Sequence, residues 1–448
     1  MKLGRMLTAA VLLAALGIVV WWSNKQEKDK AGKPAADAVR ILDIPPATVK
    51  EIQIQRRGGG PTTVQLNDKG QWALTQPKPF PADASAVSGL SNTTMKLDSQ
   101  RLVDPNVTDL AAYGLAPAML EVRITRKDGK TSKLLIGENT PANDAVYVKL
   151  DGDPRLFTVS SVNKTALDKD YKDLRDRHLL NFDQEKVTKF EITAKNQSFE
   201  ISKPAGGDWQ ISKPKAMRAE NLQVDELITK LKNAQMDANF TDDDAKKAGA
   251  AFTGAALMAT VKVTDPTGVK TFEVRKAKED FYAKSSTLEG TYKVGKDVAD
   301  GLDKSASDFR NKKVFDFGFS ELTHVDVIDG AKSVIFDKVI DKAGGTWMSG
   351  GKKMDSTGLQ AFTDKLRDLT ASKFADAGFG TPAVTITVVS NQGKHREKVE
   401  IAPMASSGNF LARHDGDASF YELEANAVKE LRQAAGDVRE AQPEKKKK

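Results

Sequence analysis

The sequence contains no cysteine and only four histidines among its 448 residues. The absence of thiols excludes a disulfide framework, thiolate zinc sites, iron–sulfur clusters and a cysteine nucleophile. Aromatic residues make up only 7% of the chain and do not alternate with Lys and Arg, which argues against a base-stacking platform for nucleic acid. Hydrophobic residues still amount to 40%, so most of the chain can bury a core.

The net charge of +7 resides in the two ends of the chain. Residues 1–33 carry six basic and two acidic residues, and residues 444–448 carry four lysines and one glutamate, so residues 34–443 are neutral overall. A nucleic-acid-binding protein should show a basic stripe within its folded part. We therefore expect no nucleic-acid partner.

One long apolar run lies near the start of the chain. Residues 6–22 are uncharged and end in Trp21 and Trp22, an arrangement typical of a membrane interface. A spanning helix needs about 20 residues, with a range of ~17–25. A cleaved signal peptide stays an alternative, but the residues after the run do not form a good small-residue cleavage site. We predict an uncleaved single-pass anchor over 6–22 and a polar tether over 23–44.

The rest of the chain repeats one pattern three times. Alternating strand-like runs recur at residues 49–54, 187–192 and 322–327, and each is followed by a second strand. A tryptophan follows in each case, with intervals of 137 and 138 residues, at Trp72, Trp209 and Trp347. Fifteen residues further on lies an apolar position of a predicted helix, at Val87, Val224 and Phe362. We predict repeat units over 45–185, 186–320 and 321–440, followed by a basic tail over 441–448.

Each predicted unit consists of a hairpin, a strand with the Trp, a helix, an antiparallel meander and a second helix. This order indicates an α+β fold, with helices covering one face of an antiparallel sheet. We interpret the three Trp as core residues rather than ligand contacts. The closing helices end in Asp, an apolar residue and Arg, which gives Arg175, Arg310 and Arg439. These arginines are either solvated charges near a helix end or ties from one unit to the next.

No motif carries recognisable chemistry. Residues 290–297 have the glycine and lysine spacing of a phosphate loop, but Asp297 stands where Ser or Thr must hold magnesium. The four histidines do not cluster in the sequence. We therefore predict no catalytic, cofactor-binding or metal-binding residue, and we expect that the protein is not an enzyme.

The first predicted unit contains several short motifs that resemble a known bacterial family, the domain of unknown function 4340. The residues that carry the resemblance are Tyr113-Gly114-Leu115, Pro117, Asp128-Gly129, Leu135-Ile136-Gly137, Tyr147-Val148 and Leu174-Arg175-Asp176-Arg177. The resemblance extends over about residues 45–185 and is thinner beyond, and it brings no catalytic residue. It implies a single-anchor protein of the bacterial inner membrane with its bulk in the periplasm. It also implies an accessory role beside an ABC transporter of the gliding-motility type.

Three functions remain open from the sequence. The first is a non-catalytic, membrane-anchored scaffold that binds an ABC-transporter permease or its extracytoplasmic subunit. The second is a binding module for a glycan or another envelope polymer. The third, and the least favoured, is a hydrolase. A concave polar pocket on one unit only would favour a ligand binder or an enzyme, whereas an apolar surface would favour a protein partner.

Overall fold

A computed structural model describes residues 39–340, 345–405, 407–415 and 417–442. The chain divides into two units, Met1–Arg177 and His178–Lys448. The predicted anchor and residues 443–448 of the predicted tail lie outside the described residues. Among the residues that the structure describes, no helix is long and apolar enough to cross a membrane.

The described part of the first unit contains one large antiparallel sheet and three α-helices. Its elements are β1 Arg40–Asp43, β2 Val49–Arg56, β3 Pro61–Leu66, β4 Trp72–Gln76, β5 Phe80–Pro81, α1 Ala84–Met95, β6 Lys96–Asp98, β7 Arg101–Asp104, β8 Leu120–Arg126, β9 Thr131–Asn139, β10 Ala145–Leu150, β11 Leu156–Ser160, α2 Ser161–Leu167 and α3 Tyr171–Leu174. The strands are ordered β5-β4-β3-β2-β8-β9-β10-β11-β7, and β1 pairs separately with β6. Residues 40–44, which we expected to belong to the tether, are therefore part of the fold and bury Ile41, Leu42 and Ile44.

The second unit contains two sheets. The elements of its first sheet are β12 Lys189–Ala194, β13 Gln197–Ser202, β14 Gln210–Lys213, β15 Met217–Arg218, α4 Asn221–Lys232, α5 Asp242–Gly254, β16 Ala256–Asp265, β17 Gly268–Ala277, β18 Asp280–Ser285, β19 Tyr292–Val294 and α6 Lys296–Leu302. The strand order is β15-β14-β13-β12-β16-β17-β18-β19. We call this the second sheet of the chain.

The third sheet follows in the same unit. Its elements are β20 Leu322–Asp329, β21 Lys332–Val339, β22 Thr346–Ser349, β23 Lys352–Lys353, α7 Ser356–Asp368, β24 Lys373–Ala375, β25 Val384–Ser390, β26 His395–Pro403, β27 Phe410–His414, β28 Phe420–Leu423 and α8 Ala425–Asp437. The strand order is β23-β22-β21-β20-β25-β26-β27-β28-β24. All strand pairs in the three sheets are antiparallel, which confirms the α+β class with antiparallel sheets.

The strand orders place one strand at the centre of each sheet in the same way. β2, β12 and β20 each pair with the next strand along the chain on one side. On the other side each pairs with the first strand of the later run of hairpins, which is β8, β16 or β25. A helix that buries one face crosses each sheet, and Val87, Val224 and Phe362 are fully buried on these helices. Burying a side chain of this size contributes about 1.5–3 kcal/mol.

Candidate functional site

The three tryptophans differ in how deeply they are buried. Trp209 is 4% exposed, and its ring lies 5.6 Å from that of Phe190. The Lys203 ammonium lies 5.6 Å from the centre of the Trp209 ring on the other side. Trp72 and Trp347 are half-buried, and each packs against the core of its own sheet. The contacts of all three are with core residues of their own sheets.

Two of the predicted arginines occupy equivalent backbone positions. Arg175 forms an antiparallel bridge with Ala82, just before α1, and Arg310 forms the same bridge with Ala219, just before α4. The Arg310 guanidinium also lies 3.4 Å from the ring centre of Phe374, on β24 of the third sheet. Burial lowers the pKa of Arg310. Arg310 therefore contacts the sheet that follows its own.

Arg439 is shifted by one residue from the backbone position that Arg175 and Arg310 share. The residue before each crossing helix donates its amide hydrogen to one carbonyl oxygen, and the pairs are Asp83 with Leu174, Glu220 with Phe309, and Asp355 with Arg439. Arg439 therefore takes the position of two apolar residues rather than that of the two arginines. Glu440, which forms a bridge with Met354, takes the arginines' position.

A buried arginine that the sequence did not single out joins the second and third sheets. Arg218, the last residue of β15, has a side chain that is only 14% exposed. Its Nε donates to Asp417 Oδ2 at 2.9 Å, and its Nη2 donates to the Tyr421 hydroxyl at 2.7 Å. Further guanidinium bonds go to Asp316 and to the carbonyl oxygen of Lys313. All of these partners belong to the third sheet or to the segment that leads into it.

The charges in this cluster stabilise one another. Burial alone would lower the pKa of the Arg218 guanidinium, but Tyr421, Asp316 and Asp417 outweigh it and hold that pKa above its usual value. Burial and the Asp417 carboxylate raise the pKa of the Tyr421 phenol, whose hydroxyl donates to Asp417. The phenol therefore stays protonated at neutral pH, and the carboxylate accepts from Arg218 and Tyr421 together.

A second layer of polar groups extends from Asp316. Its backbone amide donates to Glu397 Oε2 at 2.6 Å, and Nε2 of His414 lies 3.3 Å from the same oxygen. His395 Nε2 lies 3.2 Å from the other oxygen of Glu397. The fold therefore brings together two of the four histidines, which do not cluster in the sequence. Burial would raise the pKa of the Glu397 carboxyl, but the His414 contact and the Asp316 amide lower it overall.

The two carboxylates around Arg218 are bonded by groups of the protein itself. Asp316 and Asp417 accept from guanidinium, phenol and amide groups, whereas Glu397 Oε1 is buried and accepts no hydrogen bond from the described residues, although His395 Nε2 lies 3.2 Å from it. No hydroxyl group contacts His395 or His414 in any hydrogen bond of the described residues. Across the described part of the chain, no group of three or more His, Asp or Glu side chains is arranged to hold a metal ion. The cluster, which we call the Arg218 cluster (Arg218, Asp316, Asp417, Tyr421), is saturated by its own partners.

Further contacts reinforce the same junction. Lys215 Nζ lies 3.2 Å from Asp376 Oδ1, and the Ala418 amide donates to the Ala216 carbonyl oxygen at 3.1 Å. The Asn311 amide donates to the carbonyl oxygen of Arg218 at 3.0 Å. Residues 215–218 therefore lie between the two sheets and bond to both.

Backbone hydrogen bonds, and no signal in the sequence, single out the position of Arg218. The same backbone bond that Arg218 accepts from Asn311 is accepted by Pro81 from Asp176, and by Lys353 from Ala441. Pro81, Arg218 and Lys353 are thus equivalent positions, and only the middle one carries an arginine. Its partner Asp417 lies 199 residues away, so no local pattern pairs the two.

The residues of the family resemblance pack together in the first unit. The rings of Tyr113 and Tyr147 meet edge to face at 4.9 Å. A Cβ on Gly137 would lie 2.1 Å from the Tyr113 carbonyl oxygen, so only glycine fits there. Arg57 donates to the carbonyl oxygens of Gly114 and Pro117 and closes the loop. These motif residues form turns and core contacts in the first unit.

Comparison with known proteins finds one family. Residues 72–251 and 209–385 each match the family described as Domain of unknown function (DUF4340). The two matches together span more than half of the chain, and they begin at Trp72 and at Trp209. No curated protein and no solved structure matches the chain. The chain therefore belongs to the DUF4340 family.

Proposed function

We propose that the chain is a non-catalytic scaffold of the bacterial envelope and an accessory subunit of an ABC-type transporter complex. The observation that carries the scaffold role is the Arg218 cluster. Its charges join two sheets and are paired with one another, whereas active sites hold titratable groups ready for reaction. The transporter partner follows from the family resemblance alone.

We also propose that the three sheets are tandem copies of one unit. Their shared strand order supports this, as do the equivalent hydrogen bonds of Leu174, Phe309 and Arg439. The two family matches add support because they begin at two of the three tryptophans. A scaffold of repeated units offers an extended surface to a partner, since each unit contributes its own exposed faces.

The third part of the proposal is the location. Residues 6–22 anchor the chain in the inner membrane, and the rest lies in the periplasm. Alkaline phosphatase fused after Lys448 should be active, because that enzyme needs the oxidising periplasm. A green fluorescent protein that matures only in the cytoplasm, fused at the same position, should stay dark. An inactive phosphatase together with a bright fluorescent fusion would contradict this topology.

Co-purification tests the transporter role directly. Full-length protein with a C-terminal affinity tag, extracted in mild detergent, should recover an ABC permease or its extracytoplasmic subunit. Mass spectrometry would identify the partner, and untagged membranes taken through the same steps would be the control. If no transporter subunit is enriched over that control, the proposed role is wrong.

A concave polar pocket favours the second candidate, an envelope glycan module. The pocket measures about 320 Å³ and lies in the second sheet beside α5, with Asp237, Asp244, Asp280, Tyr282 and Lys293 in its lining. Lys293 Nζ lies 2.7 Å from Asp280 Oδ1, Asp244 accepts from the start of α5, and Asp237 Oδ1 accepts from the Asn239 amide at 2.8 Å, so all three acids already have partners. For this reason we place the glycan function behind the scaffold, and a hydrolase behind both.

A further inference from the structure

The third sheet carries an open apolar groove between its first hairpin and its closing helix. The groove has a volume of about 160 Å³ and is lined by Val327, Val334, Phe336 and Leu431, with Arg432 at its rim. Val334 is 41% exposed although it lies on the face of β21 that packs against the helices. An apolar side chain left open at such a position indicates that a covering group is missing.

The second sheet shows what covers the equivalent position. Val334 pairs with Val327 across the hairpin of the third sheet, and Phe199 pairs with Ile192 in the same register of the second sheet. Phe199 is only 4% exposed, and its ring lies 5.7 Å from the ring of Phe309. Phe309 ends a short helical turn, Ala306–Phe309, that follows α6.

The first sheet has a short helical turn at the corresponding place. Thr62 pairs with Ile54 across the hairpin of the first sheet, as Phe199 pairs with Ile192 in the second, and it is 8% exposed. A short helical turn, Tyr171–Leu174, again follows the closing helix, and Leu174 is fully buried in the core. The second sheet therefore closes this end with Phe309, and the first sheet buries Leu174 at the corresponding backbone position.

The third sheet has no such turn among its described residues. Its closing helix α8 runs without interruption to Asp437. In the other two sheets, the carbonyl oxygen of Leu174 or Phe309 accepts from the residue before the crossing helix. In the third sheet the carbonyl oxygen of Arg439 accepts this bond, and the Arg439 side chain is exposed. Val438 packs against the core but is only half-buried, and it does not line the groove. The groove is open because none of the described residues places an apolar side chain over it.

The charges at the groove indicate what can fill it. In the first sheet, Arg56 at the hairpin end pairs with Asp168, which precedes the covering turn. In the second sheet, Asp308 lies directly before Phe309, and Lys195 in the hairpin turn is among the charges that act on it. In these two sheets an acidic residue in the covering turn, or three residues before it, therefore lies in the field of a basic residue at the hairpin end.

The third groove has no covering turn among the described residues to bring such an acid, and the acid that lines it, Asp329, comes from its own hairpin. Lys332, at the hairpin end, is exposed and forms no ion pair with any described residue. Arg432 pairs with Asp329 through Nη2, but its Nε is buried and has no acceptor among the residues described. This buried N–H is costly, but the protein itself covers it, so exposed Lys332 is the basic group that an incoming acid can reach.

We infer that this groove binds a short helical turn of a partner protein, in which an acidic residue directly precedes a bulky apolar one. Such a turn would repeat the role that Asp308 and Phe309 have in the second sheet. The apolar side chain would cover Val334 and Phe336, and the acid would lie against Lys332. The inference rests on the proposed role of the chain as a protein-binding scaffold, and it names the recognition chemistry of the partner.

The chain itself supplies a probe for this groove. A fluorescein-labelled peptide of residues 303–312, DKSASDFRNK, contains the turn that covers Phe199. We expect saturable binding to the full-length protein in lipid nanodiscs, measured by fluorescence anisotropy. A peptide with Phe309→Ala and one with Asp308→Lys should each bind at least roughly tenfold more weakly, because they lose the apolar anchor or the charge pairing.

A matched pair of protein variants locates the binding. Val334→Asp places a negative charge inside the groove and should weaken peptide binding by roughly tenfold or more. Ser333→Asp places the same charge on the opposite face of the same strand, where Ser333 is exposed, and should leave binding unchanged. Circular dichroism and thermal unfolding should be alike for both variants, since both positions are already exposed.

Several results would overturn the inference. They are no binding of the parent peptide, equal binding of the Phe309→Ala peptide, or equal weakening by Val334→Asp and Ser333→Asp. Self-association of the nanodisc-free protein that Val334→Asp abolishes would assign the groove to a second copy instead. Co-purification of a transporter subunit can fail while the peptide binds, so failure of the proposed function and failure of the groove are distinguishable.

Discussion

Replacing Arg218 with Met should destabilise the second unit by about 3–5 kcal/mol, because it leaves a buried carboxylate without its cation. Asp417 is 2% exposed and accepts from the Arg218 side chain and from the Arg218 amide. Methionine keeps most of the side-chain volume but none of the five guanidinium hydrogen bonds. The loss is therefore electrostatic, and it falls on the junction between the two sheets.

Urea unfolding of the full-length protein measures the size of this effect. Hydrogen exchange locates it, and protection should fall in the third sheet while the first unit is unchanged. The matched control is Arg413→Met, since Arg413 pairs with Glu400 but is 47% exposed. A surface pair of that kind contributes about 0–1 kcal/mol. Equal destabilisation by the two variants would show that the Arg218 cluster has no special role.

A second substitution separates the buried charge from the lost packing. Asp417→Asn removes the carboxylate that Arg218 neutralises, so the double variant should be more stable than Arg218→Met alone. If the double variant is instead the sum of two independent losses, the two residues do not act together. This double-mutant cycle therefore measures the interaction between Arg218 and Asp417, and not only the loss of stability that any substitution at the site would cause.

The periodic features of the sequence were sufficient for the class of fold. Alternation of apolar residues placed strands near Ile52, Phe190 and Val325, and the structure has β2, β12 and β20 there. Strand and helix patterns depend on neighbours within a few residues, so they can be read without the tertiary fold. The α+β class follows from their order along the chain.

The candidate site could not be predicted in the same way. Arg218 and Asp417 are separated by nearly half of the chain, and nothing in either local sequence indicates burial. Burial of an arginine depends on which elements pack around it, and that is decided by the tertiary structure. The hydrogen bonds that relate Pro81, Arg218 and Lys353 single it out, and these are visible only in the structure.

The three arginines Arg175, Arg310 and Arg439 show how a short motif can mislead. The sequence aligned Asp437-Val438-Arg439 with Asp173-Leu174-Arg175, and the hydrogen bonds place Arg439 at the position of Leu174. The cause is local, because α8 is one continuous helix of 13 residues where the first unit has two short ones. A one-residue offset of this kind changes which side chain faces the core, and it leaves the groove beside Val334 open.

Replacing Trp209 with Ala should cost about 3–5 kcal/mol, the usual loss for a large aromatic removed from a core. Trp209 packs on Phe190, and its backbone amide and carbonyl bond to Asn221 and Ala219, which hold the start of α4 in place. The cavity would therefore open between the hairpin and the helix of the second sheet. Thermal and urea unfolding of the full-length protein would measure the loss.

The other tryptophans provide the comparison. Trp72→Ala and Trp347→Ala should each cost less than Trp209→Ala, because their rings are half-buried and retain solvent contact in the folded state. Lys338, which lies 5.9 Å from the ring centre of Trp347, can settle over the vacated space, since its long stem packs on apolar surface. If the three variants lose equal stability, the repeated Trp contributes the same amount in every sheet, and the difference in burial has no energetic consequence. If Trp209→Ala leaves unfolding unchanged, its assignment to the core is wrong.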